Sequence, residues 1–260
     1  MAERDCLTMT EHRKTLISLM NKAGYRHNLQ NVFDDFCTVT AIALSNQADP
    51  NGICTTLETR EKRETKYTDI LQKYNKEEQQ LFPAMVAELT LELEDQVQRG
   101  RYTDVLGEIF HELELHNKWK GQFFTPQSVC DMMGKMVTDF GVISRTVKTY
   151  GFTSINEPAC GSGAILLGFA NGCKDVGINP CQEILFSAQD IDARCIHMAY
   201  IQCALYGFPA IIQQMDTLTM EAYSEPWFTP VYVWDGWHYR RRHRCRVERQ
   251  EKELLEMICG

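Results

Sequence analysis

Glu157-Pro158-Ala159-Cys160-Gly161-Ser162-Gly163 is the stretch around which the chain is organised. It follows a short strand-like segment, Thr153 to Asn156, and runs into a helical one, Ala164 to Gly172. Gly161 and Gly163 permit positive φ and let the backbone close around a bound ligand. Strand, glycine turn and helix in this order open an α/β cofactor-binding unit, and the pattern alone fits dinucleotide sites equally well. Further on, Glu183 to Gln189 and Ala210 to Met215 are strand-like, with a helical stretch from Ala193 to Tyr206 between them. Strands alternating with helices predict a parallel sheet.

Acids mark one edge of that sheet. Asp190 closes the second strand, where a carboxylate can accept hydrogen bonds from both hydroxyls of a ribose. Asp192 competes for the same role from two residues on. Asp216 closes the third strand, within reach of an adenine amino group. Each alone is an ordinary strand end or helix cap. Acids at successive strand tips after a glycine turn point to one site.

Upstream the chain reads as helical. A first helix runs from Thr10 or Glu11 to about Gly24, and a second buries Val32, Phe33, Phe36, Val39 and Ala43. Asn46 to Gly52 is a turn-rich break, and Thr59 to Lys66 a charged, solvated face or connector. Asn75 with Glu78 fits a capping box. Pro83 is expected to kink or split the helix that resumes through Met85, Val86, Leu89 and Leu93. Val105 to Leu115 gives one more helix. Then comes Gly121-Gln122-Phe123-Phe124-Thr125-Pro126. Thr125 is placed to cap a helix with Pro126 at its first position, and Val129, Met132, Met133, Met136 and Val137 are expected to fill its buried face. These signals divide the chain into a helical domain (1–117), an α/β domain (118–238) and a tail (239–260).

Gly121–Pro126 and Glu157–Gly163 together resemble two motifs of the N6-adenine DNA methyltransferases, the group that includes the modification subunits of type I restriction systems. Ala188-Gln-Asp-Ile-Asp192, with Ala204-Leu-Tyr-Gly207 after it, is similar to their ribose-binding segment, and Met215-Asp-Thr-Leu218 looks like the motif that follows. The resemblance covers roughly residues 30 to 220. It implies a Rossmann-like methyltransferase sheet behind an N-terminal helical domain, with S-adenosyl-L-methionine (AdoMet) as cofactor. The implied cofactor-binding residues are Phe124, Thr125, Glu157, Ala159, Gly161, Gly163, Asp190, Ile191 and Asp216. The implied reaction is methyl transfer to N6 of a flipped-out adenine in DNA, with a specificity subunit or a second copy as a possible partner.

One motif departs from the pattern. The family carries Asn/Asp-Pro-Pro-Tyr/Phe after its fourth strand, and no such tetrad occurs here. If Val231 to Trp234 is a fourth strand, Asp235-Gly236-Trp237 occupies the catalytic position, making Asp235 and Trp237 the candidates. The plainer alternative is a surface turn. Arg240, Arg241, Arg242, Arg244 and Arg246 follow and are candidate DNA contacts, with Trp237 and Tyr239 able to stack on bases. Val247 to Ile258 is a charged amphipathic helix suited to a partner. Two further readings remain open: a catalytically inactive AdoMet- or DNA-binding derivative, and a dinucleotide oxidoreductase, against which the Phe-Phe-Thr-Pro string argues.

The 260 residues carry a net charge of −8, so a grip on DNA requires a local basic patch or a second subunit. The eleven cysteines are scattered without zinc-ligand spacing, and no metal site is expected. With neither a secretory pattern at the N-terminus nor a membrane-length apolar run, the expectation is reduced thiols in a cytoplasmic protein.

Overall fold

A computed structural model describes residues 10–115 and 125–259. The helical half comes first. Thr10 accepts a hydrogen bond from the Arg13 N–H and opens α1 (Glu11–Gly24). Asn28 caps α2 (Leu29–Ala48), which buries Val32, Phe33, Phe36 and Val39 along its length. Asp49 then closes the loop, its carboxylate accepting from the N–H groups of Ile53, Cys54 and Thr55.

The charged stretch 59–66 is not simply a solvated face. It lies in α3 (Leu57–Leu71), and Arg63 is buried. Its guanidinium donates to Ser45 Oγ at 2.9 Å and to the Pro226 carbonyl at 3.1 Å, and stacks 3.6 Å from the Trp227 ring. The Asn75–Glu78 capping box forms and opens α4 (Lys76–Gln79). Pro83 falls in the first turn of the next helix, α5 (Leu81–Gln98). There its missing N–H costs no helical bond, so the chain splits rather than kinks. The short α6 (Val105–Glu112) follows, capped by Asp104.

In the second half, α7 (Gln127–Val137) and α8 (Phe140–Tyr150) precede β1 (Thr153–Glu157). After the glycine turn come α9 (Ala164–Asp175), α10 (Pro180–Glu183), β2 (Ile184–Asp190), α11 (Ala193–Leu205) and β3 (Ala210–Asp216). β1, β2 and β3 are parallel neighbours in that order, with Thr153 opposite Ile184 and Phe186 opposite Ala210. β4 (Glu221–Ala222) and β5 (Trp227–Phe228) turn back antiparallel along the far side of β3. Among the described residues β1 is therefore the other edge of the sheet. One hydrophobic core runs from Leu16 in α1 to Ile212 in β3, joining both halves.

Two expectations fail here. Val231 to Trp234 is not a strand but α12 (Pro230–Trp234). Pro230 supplies the first helical position, while Thr229 Oγ donates to the Phe208 carbonyl and accepts from the Ala210 N–H, which fixes the entry angle. Pro230 and the long-range anchoring of Thr229 thus override the strand preference of Val and Tyr. Nor does the apolar stripe of α7 face inward. Met132, Met136 and Val137 are exposed, and the buried residues are Cys130, Asp131 and Gly134. A Cβ on Gly134 would sit 2.1 Å from the Gly168 carbonyl of α9, and one on Gly168 2.3 Å from the Cys130 carbonyl. The two helices meet through glycine, so the small face is the one that packs.

The last helix, α13 (Trp237–Cys259), begins inside the expected α/β region. Trp237 is fully buried in a second apolar cluster with Phe152, Leu185 and Tyr232. No helix among the described residues is long and apolar enough to cross a membrane.

Candidate functional site

The glycine turn is held from the front by the second strand. Glu157 ends β1 and accepts from the Ala159 N–H at 3.1 Å. The Cys160 N–H donates to the Gln189 carbonyl at 2.9 Å, and the Gly161 N–H to Asp190 Oδ2 at 2.9 Å. Gly161 and Gly163 both take positive φ, +53° and +99°, a conformation that side chains with a Cβ resist.

Asp190 also accepts from the Asp192 N–H through Oδ1 at 2.9 Å. Asp192 instead caps α11, accepting from the Arg194 N–H. Of the two acids, Asp190 is the one joined to the glycine turn. Ile191 between them is exposed, and its carbonyl accepts from the Gln214 side chain of β3. Asp216 ends β3 and accepts from the Leu218 and Thr219 N–H groups, which bends the chain away from the strand tip. Glu157, Asp190 and Asp216 thus lie at the carboxyl ends of adjacent parallel strands, where open α/β sheets bind ligands.

From behind, the turn is clamped by a residue that sequence alone did not single out. Asp104 is buried at the start of α6. It hydrogen-bonds Ser162 Oγ, and its Oδ1 accepts from Gln202 Nε2 at 2.8 Å and from the Gly107 N–H at 2.9 Å. Gln202 Nε2 also reaches the Ser162 carbonyl. Burial pushes the Asp104 carboxyl above its ordinary range, against hydrogen bonds from Ser162 and Gln202 that pull it down. A lone Asp ahead of a helix carries only a capping signal in sequence.

Gly121 to Phe124, including the candidate Phe124, lie outside the described residues. Thr125 is exposed and does not cap. Pro126 holds the N-cap position of α7, one residue later than expected, with no side-chain cap bond. Gln127 ties this segment to the clamp, since its Oε1 accepts from the Asp104 N–H at 3.0 Å. Its Nε2 donates to Asp131, which also pairs with Arg101 and accepts from Asn171.

The thiols around the turn are held in their neutral form. Burial pushes the Cys160 thiol well up and the Cys130 thiol to about 11, so neither is a nucleophilic thiolate at neutral pH. Among the described residues no cluster of His, Cys, Asp and Glu could hold a metal ion.

Asp235 and Trp237, the candidates for the transfer step, do not reach this edge. Asp235 follows α12 and Trp237 is enclosed, edge-on to Phe152 and covered by the Arg240 guanidinium. Both belong to the end of the sheet where the strands begin. The arginines divide. Arg244 is structural, pairing with Glu248 and donating to the Phe152 carbonyl at 3.1 Å. Arg241, Arg242 and Arg246 line a groove of about 530 Å³ together with Arg249, which the sequence reading did not include.

A profile described as N-6 DNA Methylase matches residues 101–235, just over half of the chain and the whole of the clamp, the turn and the strand-tip acids. No curated protein matches. A solved structure of a putative class I S-adenosylmethionine-dependent methyltransferase from Listeria monocytogenes is 16% identical, with a TM-score of 0.36 over 78% of this chain and 53% of that one. The type I restriction-modification system methyltransferase subunit from Streptococcus thermophilus is 14% identical, with a TM-score of 0.35 over 82% of this chain and 59% of that one. The chain spans somewhat more than half the length of these structures.

Proposed function

The chain belongs to the N-6 DNA Methylase family, and from that premise we propose that it binds AdoMet at the carboxyl ends of β1, β2 and β3 and acts as an adenine-N6 DNA methyltransferase. The observation that carries the reading is Asp190, held by the glycine turn at a strand tip with lone pairs left for a ribose. The donor set fits the cofactor. Two positive-φ glycines give room for close approach, Asp190 accepts from the ribose hydroxyls, exposed Ile191 offers an apolar face to the adenine, and Asp216 accepts from its amino group. Thr125 and Glu157 flank the methionine end, with Ala159 exposed in the turn between them. Bound AdoMet supplies an electrophilic methyl group. These residues would bind and orient it. DNA is the substrate, a specificity subunit or second copy the partner, and the cytoplasm the compartment.

A second reading is favoured by one observation. After β3 the chain turns back antiparallel and then enters α12, so Asp235 and Trp237 lie away from the cofactor edge. This suits a cofactor-binding protein that does not itself transfer the methyl group.

Incubation of the purified chain with methyl-labelled AdoMet and mixed-sequence duplex DNA separates the two, with Asp190→Ala as control. Label transferred to DNA by the wild type but not the variant supports the enzyme. Cofactor binding without transfer supports the second reading, and no cofactor binding overturns both.

A further inference from the structure

The arginine-lined groove lies at the other end of the sheet from the strand-tip acids. Its wall includes Phe228, paired with Ile211 near the start of β3, and Tyr232, clustered with Phe152 and Leu185 at the starts of β1 and β2. β2 alone, seven residues long, separates the two ends by roughly 20 Å. We infer that this groove binds the phosphodiester backbone of a nucleic-acid strand, as a site separate from the cofactor edge. The inference rests on the DNA substrate class proposed above.

Its chemistry is one-sided. Arg241, Arg242, Arg246 and Arg249 are exposed along it, and among the described side chains no carboxylate lines it. Among the described side chains, which end at Gln250, none of the four forms an ion pair. Ile53, Phe228 and Tyr232 give an apolar floor, and the Arg241 guanidinium lies close to the Tyr232 hydroxyl. His238 lies at the base of the groove, 9% exposed, and among the described residues neither ring nitrogen has a hydrogen-bond partner. Buried polar groups are seldom left unpaired, so the ring calls for a ligand or water from the groove side.

The spacing selects a polymer over a single anion. His238, Arg241, Arg242, Cys245, Arg246 and Arg249 recur at the three-and-four interval of one helical face. From the first to the last the stripe is roughly 16 Å long. One phosphate cannot engage both ends, whereas a strand with a charge at every nucleotide can. Guanidinium groups suit phosphate oxygens in paired hydrogen bonds. A chain with net charge −8 otherwise repels such a polymer, which makes this local concentration of cations its route to one. Held here, the strand is positioned rather than presented to the cofactor.

The test is fluorescence anisotropy of a labelled 24-nucleotide DNA, single-stranded and duplex, titrated with the full chain across a salt series. Arg242→Ser with Arg246→Ser is expected to weaken binding at least about tenfold and to reduce the slope of log K against log salt by about 2, near one unit per phosphate lost. Arg241→Ser with Arg249→Ser, from the same face, is expected to do the same, and exposed Arg26→Ser to do neither. Wild-type affinity in either paired variant overturns the proposal, as does equal competition by adenosine monophosphate, which would mark a free-nucleotide site. AdoMet is titrated calorimetrically into the same proteins. DNA binding through the groove without AdoMet binding would refute the proposed function and leave the groove standing, and AdoMet binding with no groove effect would do the reverse.

Discussion

The Gly161 N–H and the Asp190 carboxylate are 2.9 Å apart and hydrogen-bonded, so the glycine turn and the tip of β2 form one structure. The acid proposed to hold a ribose is also the acid that shapes the turn. Asp190→Ala is therefore expected to weaken AdoMet binding more than about tenfold, since it removes a charged acceptor and loosens the loop. Asp192→Ala is expected to leave the affinity within a few-fold and instead to cost about 1 kcal/mol of stability by uncapping α11. Calorimetric titration and urea unfolding of the two variants separate the roles.

The clamp behind the turn makes a sharper prediction. Asp104→Ala strands the Gly107 N–H and one of the two Gln202 Nε2 hydrogens in the interior and is expected to cost about 3 kcal/mol. Asp104→Asn keeps both of those bonds and can donate to Ser162, so it is expected to be near neutral at pH 7. Burial raises the Asp104 carboxyl. The folded state therefore holds this proton more strongly than the unfolded chain does, and stability is lost as pH rises through the raised value. Urea unfolding at several pH values should show that acid-side slope flattened in the Asn variant.

Substitution at the helix crossing should be costly for its size. Gly134→Ala and Gly168→Ala each bring a methyl group against backbone of the facing helix. Each is expected to destabilise by about 1–3 kcal/mol through overpacking. Met136→Ala, on the exposed face of the same helix, is expected to change stability by less than about 0.5 kcal/mol. The reverse ranking in thermal or urea melts would mean that α7 packs by its methionines.

His197 predicts a pH dependence of opposite sign to Asp104. It is buried, hydrogen-bonded through Nδ1 to Thr38 at 3.2 Å and edge-on to Trp227. Burial, with Lys66 and Arg63 nearby, pushes its pKa down to about 3. The unfolded chain therefore takes up a proton that the folded chain refuses. The contribution is fully present above about pH 6.5 and is lost as pH falls toward 3, by at most about 1.4 kcal/mol per pH unit. His197→Gln is expected to flatten this part of the stability profile relative to the wild type.

The parallel strands were legible because apolar runs ending in acids leave few alternatives. Thr153–Asn156, Glu183–Gln189 and Ala210–Met215 each fall within a residue of the observed strands. The helix after the glycine turn was equally plain. What sequence hid was packing chosen by absence of bulk and by distance along the chain. The methionine stripe of α7 has the right period for a buried face, yet glycine and cysteine on the other side permit a closer crossing. Asp104 is 58 residues from Ser162 and 98 from Gln202, and no local pattern joins them. Residues 231–234 have strand-forming side chains, but Thr229, anchored by long-range bonds, and Pro230 after it start them as a helix.

The same long-range bonds bear on modularity. A cut between the helical and α/β halves, near residue 118, looks natural on paper. It would part Asp104 from Ser162 and Gln202, Asp34 from Arg194, Thr38 from His197, and Arg63 from the carbonyls beside Trp227. Every one of these bonds has a member on each side of the cut. The strand-tip edge is thus not a portable cassette. Any chimaera that borrows it must also inherit α2, α3 and the Asp104 turn, or supply replacements for their buried polar partners.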